Sequence, residues 1–303
     1  MKNALFSLAY KWEEFLVRLF IKYPKKDRVN SLPFLNSDTY SFLCDQTIDS
    51  CSQLDLLSDL SPSSRLYIDG NLFPGLEQQF LSYLSKRNSL LLGIFIGDSD
   101  KSPNESFLKS IQKHSSLVGC VNLERRIKGV LPLPLGLESQ RYRSAGQIRD
   151  FKKLPALNPS SRPIGVLVAW NDETNLAERI LAREEISGSQ HCQELRKRFP
   201  ARYIHFLMRR SLFVACPPGN GMDTHRFWES LYLGSLPIIL KRYEIPAFKG
   251  WPYFALNDWG ELRNLSRNQL VEVYLKKAPE LLAFRKETIT FISKTFYSLK
   301  ETL

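Results

Sequence analysis

Cysteine is scarce and unpatterned in this chain of 303 residues. Cys44, Cys51, Cys120, Cys192 and Cys216 are odd in number, irregularly spaced and without a C-x-x-C pair. That excludes a disulfide framework and a sequence-local zinc site, and it implies a reducing compartment, with the cytoplasm as the expectation. Long apolar runs are also missing: none reaches the roughly 18 residues that a bilayer crossing needs. The N-terminus lacks the uninterrupted apolar stretch of a signal peptide, because Lys11, Glu13, Glu14 and Arg18 break it. Histidine is rare, and His114, His191 and His205 have no partners at metal-ligand spacing, so each reads as a surface or core residue. The hydrolase elbow G-x-S-x-G, the phosphate loop G-x-x-x-x-G-K-[ST] and the zinc motif H-E-x-x-H do not occur. There is no internal repeat and no low-complexity segment.

What is present belongs to a folded protein. With 43% hydrophobic and 24% charged residues the chain has enough apolar material for a core, and its length accommodates two domains. Forty-two lysines and arginines against 31 acids leave a formal charge of +11 and a pI near 9.4. Such an excess favours polyanions: nucleic acid, an anionic membrane surface or a diphosphate-bearing substrate. The densest basic runs, Lys22–Arg28, Arg196–Arg202 and Arg209–Arg210, fit a solvated face equally well. Near the start, Leu5, Leu8, Ala9, Trp12, Phe15, Leu16, Leu19 and Phe20 recur at helical spacing, followed by Lys22, Lys25, Lys26 and Arg28. This amphipathic helix either packs on the body of the protein or lies on anionic lipid, placing the protein peripherally at the inner face of a membrane.

Beyond that helix, residues 30–64 carry turn residues throughout. Arg65–Ile68 and Leu90–Ile96 then read as strands, Leu76–Arg87 and Glu105–His114 as helices, and Leu117–Val121 and Val130–Pro132 as further short strands. The stretch LPALNPSSRP, Leu154–Pro163, has three prolines and reads as an exposed linker. Alternation resumes with a strand at Ile164–Ala169, a helix starting at Asn175, a strand at Ser211–Ala215, a helix at Thr224–Leu233 and a strand at Leu236–Leu240. From Gln269 onwards the chain reads as helices broken at Pro279. The expected organisation is α/β: an N-terminal extension over residues 1–30, a Rossmann-like domain over 31–153, the linker over 154–163, a second Rossmann-like domain over 164–268, and C-terminal helices over 269–303. Two parallel sheets would face one cleft, with ligands beyond the carboxyl ends of the strands.

The most informative stretch is SLFVACPPGNGMDTHRFWESLYLGSLPIIL, residues 211–240. A buried strand runs into Cys216-Pro217-Pro218-Gly219-Asn220-Gly221. Two prolines stop it, and two glycines allow positive φ and close approach to a ligand. Asp223 or Thr224 can cap the following helix, and Gly234 can end it. The start of that helix carries unsatisfied N–H groups and a positive dipole, which favour a phosphate. His225 and Arg226 stand in the first turn, where a cation gains little from the helix itself but would gain from a bound anion. Glu229 lies one turn on, on the same face, where it could accept hydrogen bonds from ribose hydroxyls or simply pair with Arg226.

PPGNGMDTHRFWESLYLGSLPII resembles the carboxyl-terminal P-x-G-x-G-x-D-x-H-R-x-W-E-x-L-x-x-G-x-x-P-I pattern of exostosin-like glycosyltransferases. Fainter likeness extends to VLPLPLGLE at Val130–Glu138, to WNDETNLAER at Trp170–Arg179 and to the tail Ala255–Leu262; the first ninety residues carry none. The resemblance implies a two-domain GT-B fold, a nucleoside-diphosphate sugar donor, no essential metal and inversion at the transferred carbon. It places Arg226 near the donor phosphates and Glu229 on the donor ribose. Pro218, Gly219, Asn220, Gly221, Asp223 and His225 complete the expected donor segment.

Outside that segment, Asn171, Thr174 and Arg179 follow the first strand of the second domain and should face the cleft, where Arg179 could reach a phosphate. Arg209 could add positive charge from behind. Asp98 and Asp100 form a D-x-D after a strand of the first domain, away from the donor segment, so a metal role is not expected. An inverting transfer needs one base near the acceptor hydroxyl, and Asp98 is the candidate, with Asp69 and Glu138 as rivals. The expected partners are a nucleotide-sugar donor and a glycan or glycolipid acceptor. Two other readings compete: a basic nucleic-acid-binding module, which would need exposed aromatics among the basic residues, and a glycan-binding relative without activity.

Overall fold

The computed structural model describes residues 28–142 and 148–297. The apolar stripe expected to form the N-terminal helix, and the lipid contact suggested for it, lie outside the described residues. Among the described residues no helix is long and apolar enough to cross a membrane.

The first sheet has five parallel strands in chain order: β1 (Gln46–Ile48), β2 (Arg65–Asp69), β3 (Gly93–Gly97), β4 (Val118–Cys120) and β5 (Val130–Pro132). Strand alternation sends Leu66, Ile68, Ile94, Ile96, Val118 and Cys120 to one face. Right-handed crossovers between strands added always on the same side must all lie on one face. The helices that cover this face therefore come from the connections: a 3-10 helix Cys51–Asp59, then the α-helices Glu77–Ser85 and Glu105–Ile111, through Leu54, Leu57, Phe80, Leu84, Phe107 and Leu108. Tyr67, Phe95 and Val121 point the other way, into a core continuous with that of the second domain.

The second sheet is also five-stranded and parallel, with β6 (Ile164–Val168), β7 (Cys192–Glu194), β8 (Ser211–Ala215), β9 (Leu236–Leu240) and β10 (Phe254–Leu256) in the order β10-β9-β8-β6-β7. The chain leaves β6 in one direction to build β7 and returns to build β8 on its other side. The loops after β6 and β8 thus diverge at a topological switch point, where open parallel sheets bind ligands. The expected α/β architecture of two parallel-sheet units is present. The three-residue strands β1, β7 and β10, the helix Ser37–Phe42 and the helix Ala201–Arg209 are additions to it.

The C-terminal part corrects the sequence expectation. Instead of helices broken at Pro279, one helix of 30 residues runs from Arg267 to Phe296 with Pro279 inside it. An internal proline costs about 3 kcal/mol through its missing N–H and ring clash. That cost is offset by burial on both sides of it. Leu270 and Tyr274 pack on the second domain, and Leu281, Phe284, Ile292 and Phe296 follow, each side chain contributing roughly 1.5–3 kcal/mol. The Phe296 ring reaches the first domain, 4.4 Å from Phe95 and 5.7 Å from Tyr40. The expected linker is tied down as well. Arg162 is wholly buried and donates to the carbonyls of Ala156, Ser211 and Leu233 and to Ser235 Oγ.

Candidate active site

The carboxyl ends of β6 and β8 open onto a cleft of about 290 Å³, closed from the first domain by Asp100, Leu135 and Glu138. From the second domain, Asn171, Thr174, Arg179, Gly219, Asn220, Gly221, His225, Arg226 and Glu229 line it, all sequence candidates. The helix His225–Tyr232 aims its start into this space. Thr224 occupies the N-cap position without a side-chain capping bond, which leaves first-turn N–H groups with no side-chain acceptor. Gly234, at φ +77°, ends the helix as expected.

Two guanidinium groups converge on the cleft. Arg179 is held by the carbonyls of Pro218, at 2.9 Å, and Asn171, at 2.6 Å, with no carboxylate partner among the described residues. Burial, then the neighbouring charge of Arg226, pulls its pKa down to about 10. A buried cation braced only by carbonyls leaves charge available for an anion. Arg226 Nη1 donates to Glu229 Oε2 at 2.8 Å. Burial alone would raise the Glu229 carboxyl, but Arg226 and His205 outweigh it and hold it at about 2, so the carboxylate is ionised at neutral pH. His205 Nε2 lies 3.6 Å from Glu229, and its Nδ1 lies 3.1 Å from Asp150 Oδ2. Burial opposes an imidazolium there, yet these two acids raise the His205 pKa. His205, expected as a surface or core residue, is a core residue that braces the cleft wall.

The glycine loop departs from its expected geometry. Neither Gly219 nor Gly221 has a positive φ. A Cβ on Gly221 would fall 2.3 Å from the Asp100 carbonyl of the first domain, and one on Gly219 would fall 2.9 Å from Arg179. The glycines clear space for a facing loop and a guanidinium rather than for a ligand's approach. Asp223 lines the cleft and is held within the protein: its carboxylate accepts from Leu135 N–H at 2.8 Å and Trp228 Nε1 at 2.7 Å, while its own N–H donates to Asn122 Oδ1. It clasps the two domains together and is 1% exposed; burial pushes its carboxyl up to about 7 against those hydrogen bonds. Arg209 lies behind the site, donating to the carbonyls of Asp150 and Lys153. Pro218 contributes through its carbonyl, and Asn171 through the carbonyl that receives Arg179.

Asp98, the candidate base, does not line the cleft. Its carboxylate is buried between Arg28, at 2.8 Å, and Arg141, at 2.9 Å, in a cluster with Asp38, Asp49 and Asp69. Both guanidiniums meet the same carboxylate oxygen, Oδ2, so the side chain is committed to this cluster and not to the cleft. Its rival Asp69 belongs to the same cluster. Glu138 is the carboxylate that reaches the cleft, 3.4 Å from His225 Nε2. His225 Nδ1 lies 2.8 Å from the Gly136 carbonyl and so carries a proton, which turns Nε2 toward Glu138. Burial raises the Glu138 carboxyl, and His225 draws it back. Burial opposes the His225 imidazolium, and Glu138 and the Gly136 carbonyl outweigh it, raising the His225 pKa. The loop carrying Glu138 is fixed by the same acidic cluster, through Ser139 Oγ and Gln140 N–H on Asp38, each at 2.7 Å.

No family profile and no curated protein matches the sequence, so the exostosin-like pattern rests on its own residues. Among solved structures, the chain is similar to a UDP-forming α,α-trehalose-phosphate synthase from Burkholderia xenovorans, at 13% identity and a TM-score of 0.49 over 83% of this chain and 76% of that one. It is similar to the Burkholderia vietnamiensis synthase at 12% identity and a TM-score of 0.47, over 82% and 76%. A structure titled OtsA apo gives 15% identity and 0.47, over 83% and 77%.

Proposed function

We propose that this chain is a nucleotide-sugar-dependent glycosyltransferase of the GT-B, exostosin-like kind, moving a sugar onto a glycan or glycolipid hydroxyl with inversion. The observation that carries this reading is the gathering of Arg179, Arg226, an uncapped helix start and the ionised Glu229 in one interdomain cleft at a switch point. The two guanidiniums and the helix start offset the charge that grows on a departing diphosphate. Glu229 accepts from sugar hydroxyls. Positive charge for the leaving group is thus supplied by the protein, and no divalent metal is assigned to the reaction.

Glu138 replaces Asp98 as the base in this reading. The acceptor oxygen attacks the anomeric carbon, the bond from that carbon to the diphosphate oxygen breaks, and the hydroxyl proton passes to Glu138. His225 opposite it stabilises the carboxylate beforehand. Differential thermal melting with UDP, GDP and CMP tests the donor half. Stabilisation by a nucleoside diphosphate, lost in Arg179→Met, supports it; indifference to all three nucleotides rejects it.

A further inference from the structure

A second and larger concavity, about 920 Å³, lies where three separate elements meet: the edge strand β5 with the loop before it, the loop after β9, and the C-terminal half of the long helix. Its charged lining is lopsided. Arg126, Lys128, Lys249 and Lys294 face a single carboxylate, that of Glu287. All four cations are exposed, and none has a hydrogen bond or ion pair among the described residues. Elsewhere in the fold arginines are tied to the protein itself: Arg65 donates to the Phe296 carbonyl, Arg87 to Leu57 and Leu60, and Arg162 to three carbonyls. In the groove, by contrast, four charged side chains from three separate elements line one concavity beside a single acid.

The floor is aromatic and fixed. Trp251 is half-buried and set edge-on against Trp228 at 5.7 Å, Phe284 at 5.5 Å and Phe291 at 6.1 Å. A ring held from several sides offers its remaining face without further ordering, which suits the apolar face of a pyranose. Cations on the walls with one ring on the floor suit a chain carrying charge at intervals. A single-stranded nucleic acid wants successive stacking rings. A bilayer wants apolar side chains that project outward, whereas here they lie at the bottom of a groove.

We propose that this groove binds a linear anionic glycan, with acidic sugars paired to Lys128, Lys249, Lys294 and Arg126 and one ring stacked on Trp251. The site is separate from the donor cleft, and its occupancy is read without turnover, so it can fail while the transferase reading stands, and the reverse.

The test is fluorescence anisotropy of the full chain with labelled oligogalacturonate, beside neutral dextran, single-stranded DNA, and phosphatidylcholine vesicles with and without phosphatidylglycerol. The proposal expects saturable, salt-sensitive binding of oligogalacturonate and none of dextran. It expects roughly tenfold weaker binding in the triple variant Lys128→Glu/Lys249→Glu/Lys294→Glu, with melting temperature and nucleotide stabilisation unchanged. Equal binding by the variant, tighter binding of DNA, or binding to anionic vesicles alone would each overturn it. Should the triple variant unfold, Lys249→Ala and Lys294→Ala singly provide the same comparison with smaller losses.

Discussion

Glu229 Oε2 lies 2.8 Å from Arg226 Nη1, and its other oxygen lies 3.6 Å from His205 Nε2, so one carboxylate is held between a guanidinium and an imidazole in the cleft wall. Removing its charge leaves Arg226 without a carboxylate partner and His205 with Asp150 alone. Glu229→Gln should lower stability by about 2–4 kcal/mol near neutral pH, as for other broken buried pairs. The pH dependence gives the sign. The folded value near 2 lies below the ordinary 4.5, so the carboxylate stabilises above the ordinary value and loses that contribution as pH falls toward 2. The gap between wild type and Glu229→Gln should therefore close on acidification. Urea titrations of both proteins between roughly pH 3 and pH 6 read it directly. A gap that is constant with pH contradicts the assignment.

Glu138 and Asp98 make opposite predictions. Glu138→Gln keeps the shape but cannot take a proton, so transfer should fall by about 10²–10⁴-fold while nucleotide binding persists. Asp98→Asn should instead act on stability, because it leaves Arg28 and Arg141 with one acid fewer. Its transfer rate per folded molecule should change far less than that of Glu138→Gln. Donor consumption with an acceptor, measured beside nucleotide thermal shifts on both variants, separates the roles. A larger rate loss in Asp98→Asn would return the base to Asp98.

Arg162 is a purely structural prediction. Its guanidinium is buried without a carboxylate and holds the ends of β8 and of the helix His225–Tyr232 to the segment before β6. Arg162→Ala withdraws the guanidinium from the carbonyls of Ala156, Met208, Ser211 and Leu233 and opens a void, and should cost on the order of 3–5 kcal/mol. Arg162→Lys should recover only part, since one ammonium cannot reproduce the fork. Denaturant midpoints of both variants check the order; equal midpoints for wild type and Arg162→Ala would refute it.

The sequence showed what local pattern encodes. β8, the helix after it and β9 follow from one apolar strand, two prolines and a glycine stop, and that pattern sets Arg226 and Glu229 on a helix that lines the cleft. What depends on distant neighbours was not legible. Gly221 is small because Asp100, 121 positions earlier, passes beside it, and Asp223 accepts from Leu135 of the facing domain. His205 looked solitary because Asp150 and Glu229 meet it only in the fold. Asp98 and Asp100 are neighbours in a D-x-D, yet a positive φ of 51° at Asp98 sends the two side chains to different surroundings. The strand-end rule favours Asp98 over Asp69 and Glu138, whereas the fold ties Asp69 and Asp98 to Arg28 and Arg141 and sets Glu138 in the cleft lining.

Arg179 bears on how a diphosphate would be held. Its depressed pKa marks a buried cation braced by carbonyls alone, and a bound anion would offset that burial. Nucleoside diphosphate should therefore bind through Arg179 and Arg226 without help from a divalent ion. Arg179→Met should weaken binding by roughly tenfold or more, a loss of at least about 1.4 kcal/mol. Chelation with EDTA should leave wild-type affinity unchanged. Isothermal titration with a nucleoside diphosphate, run on wild type, Arg179→Met and chelated wild type, measures all three. If affinity collapses on chelation and Mg²⁺ or Mn²⁺ restores it, the diphosphate charge is carried by a metal, and the cleft works differently from the arrangement argued for it.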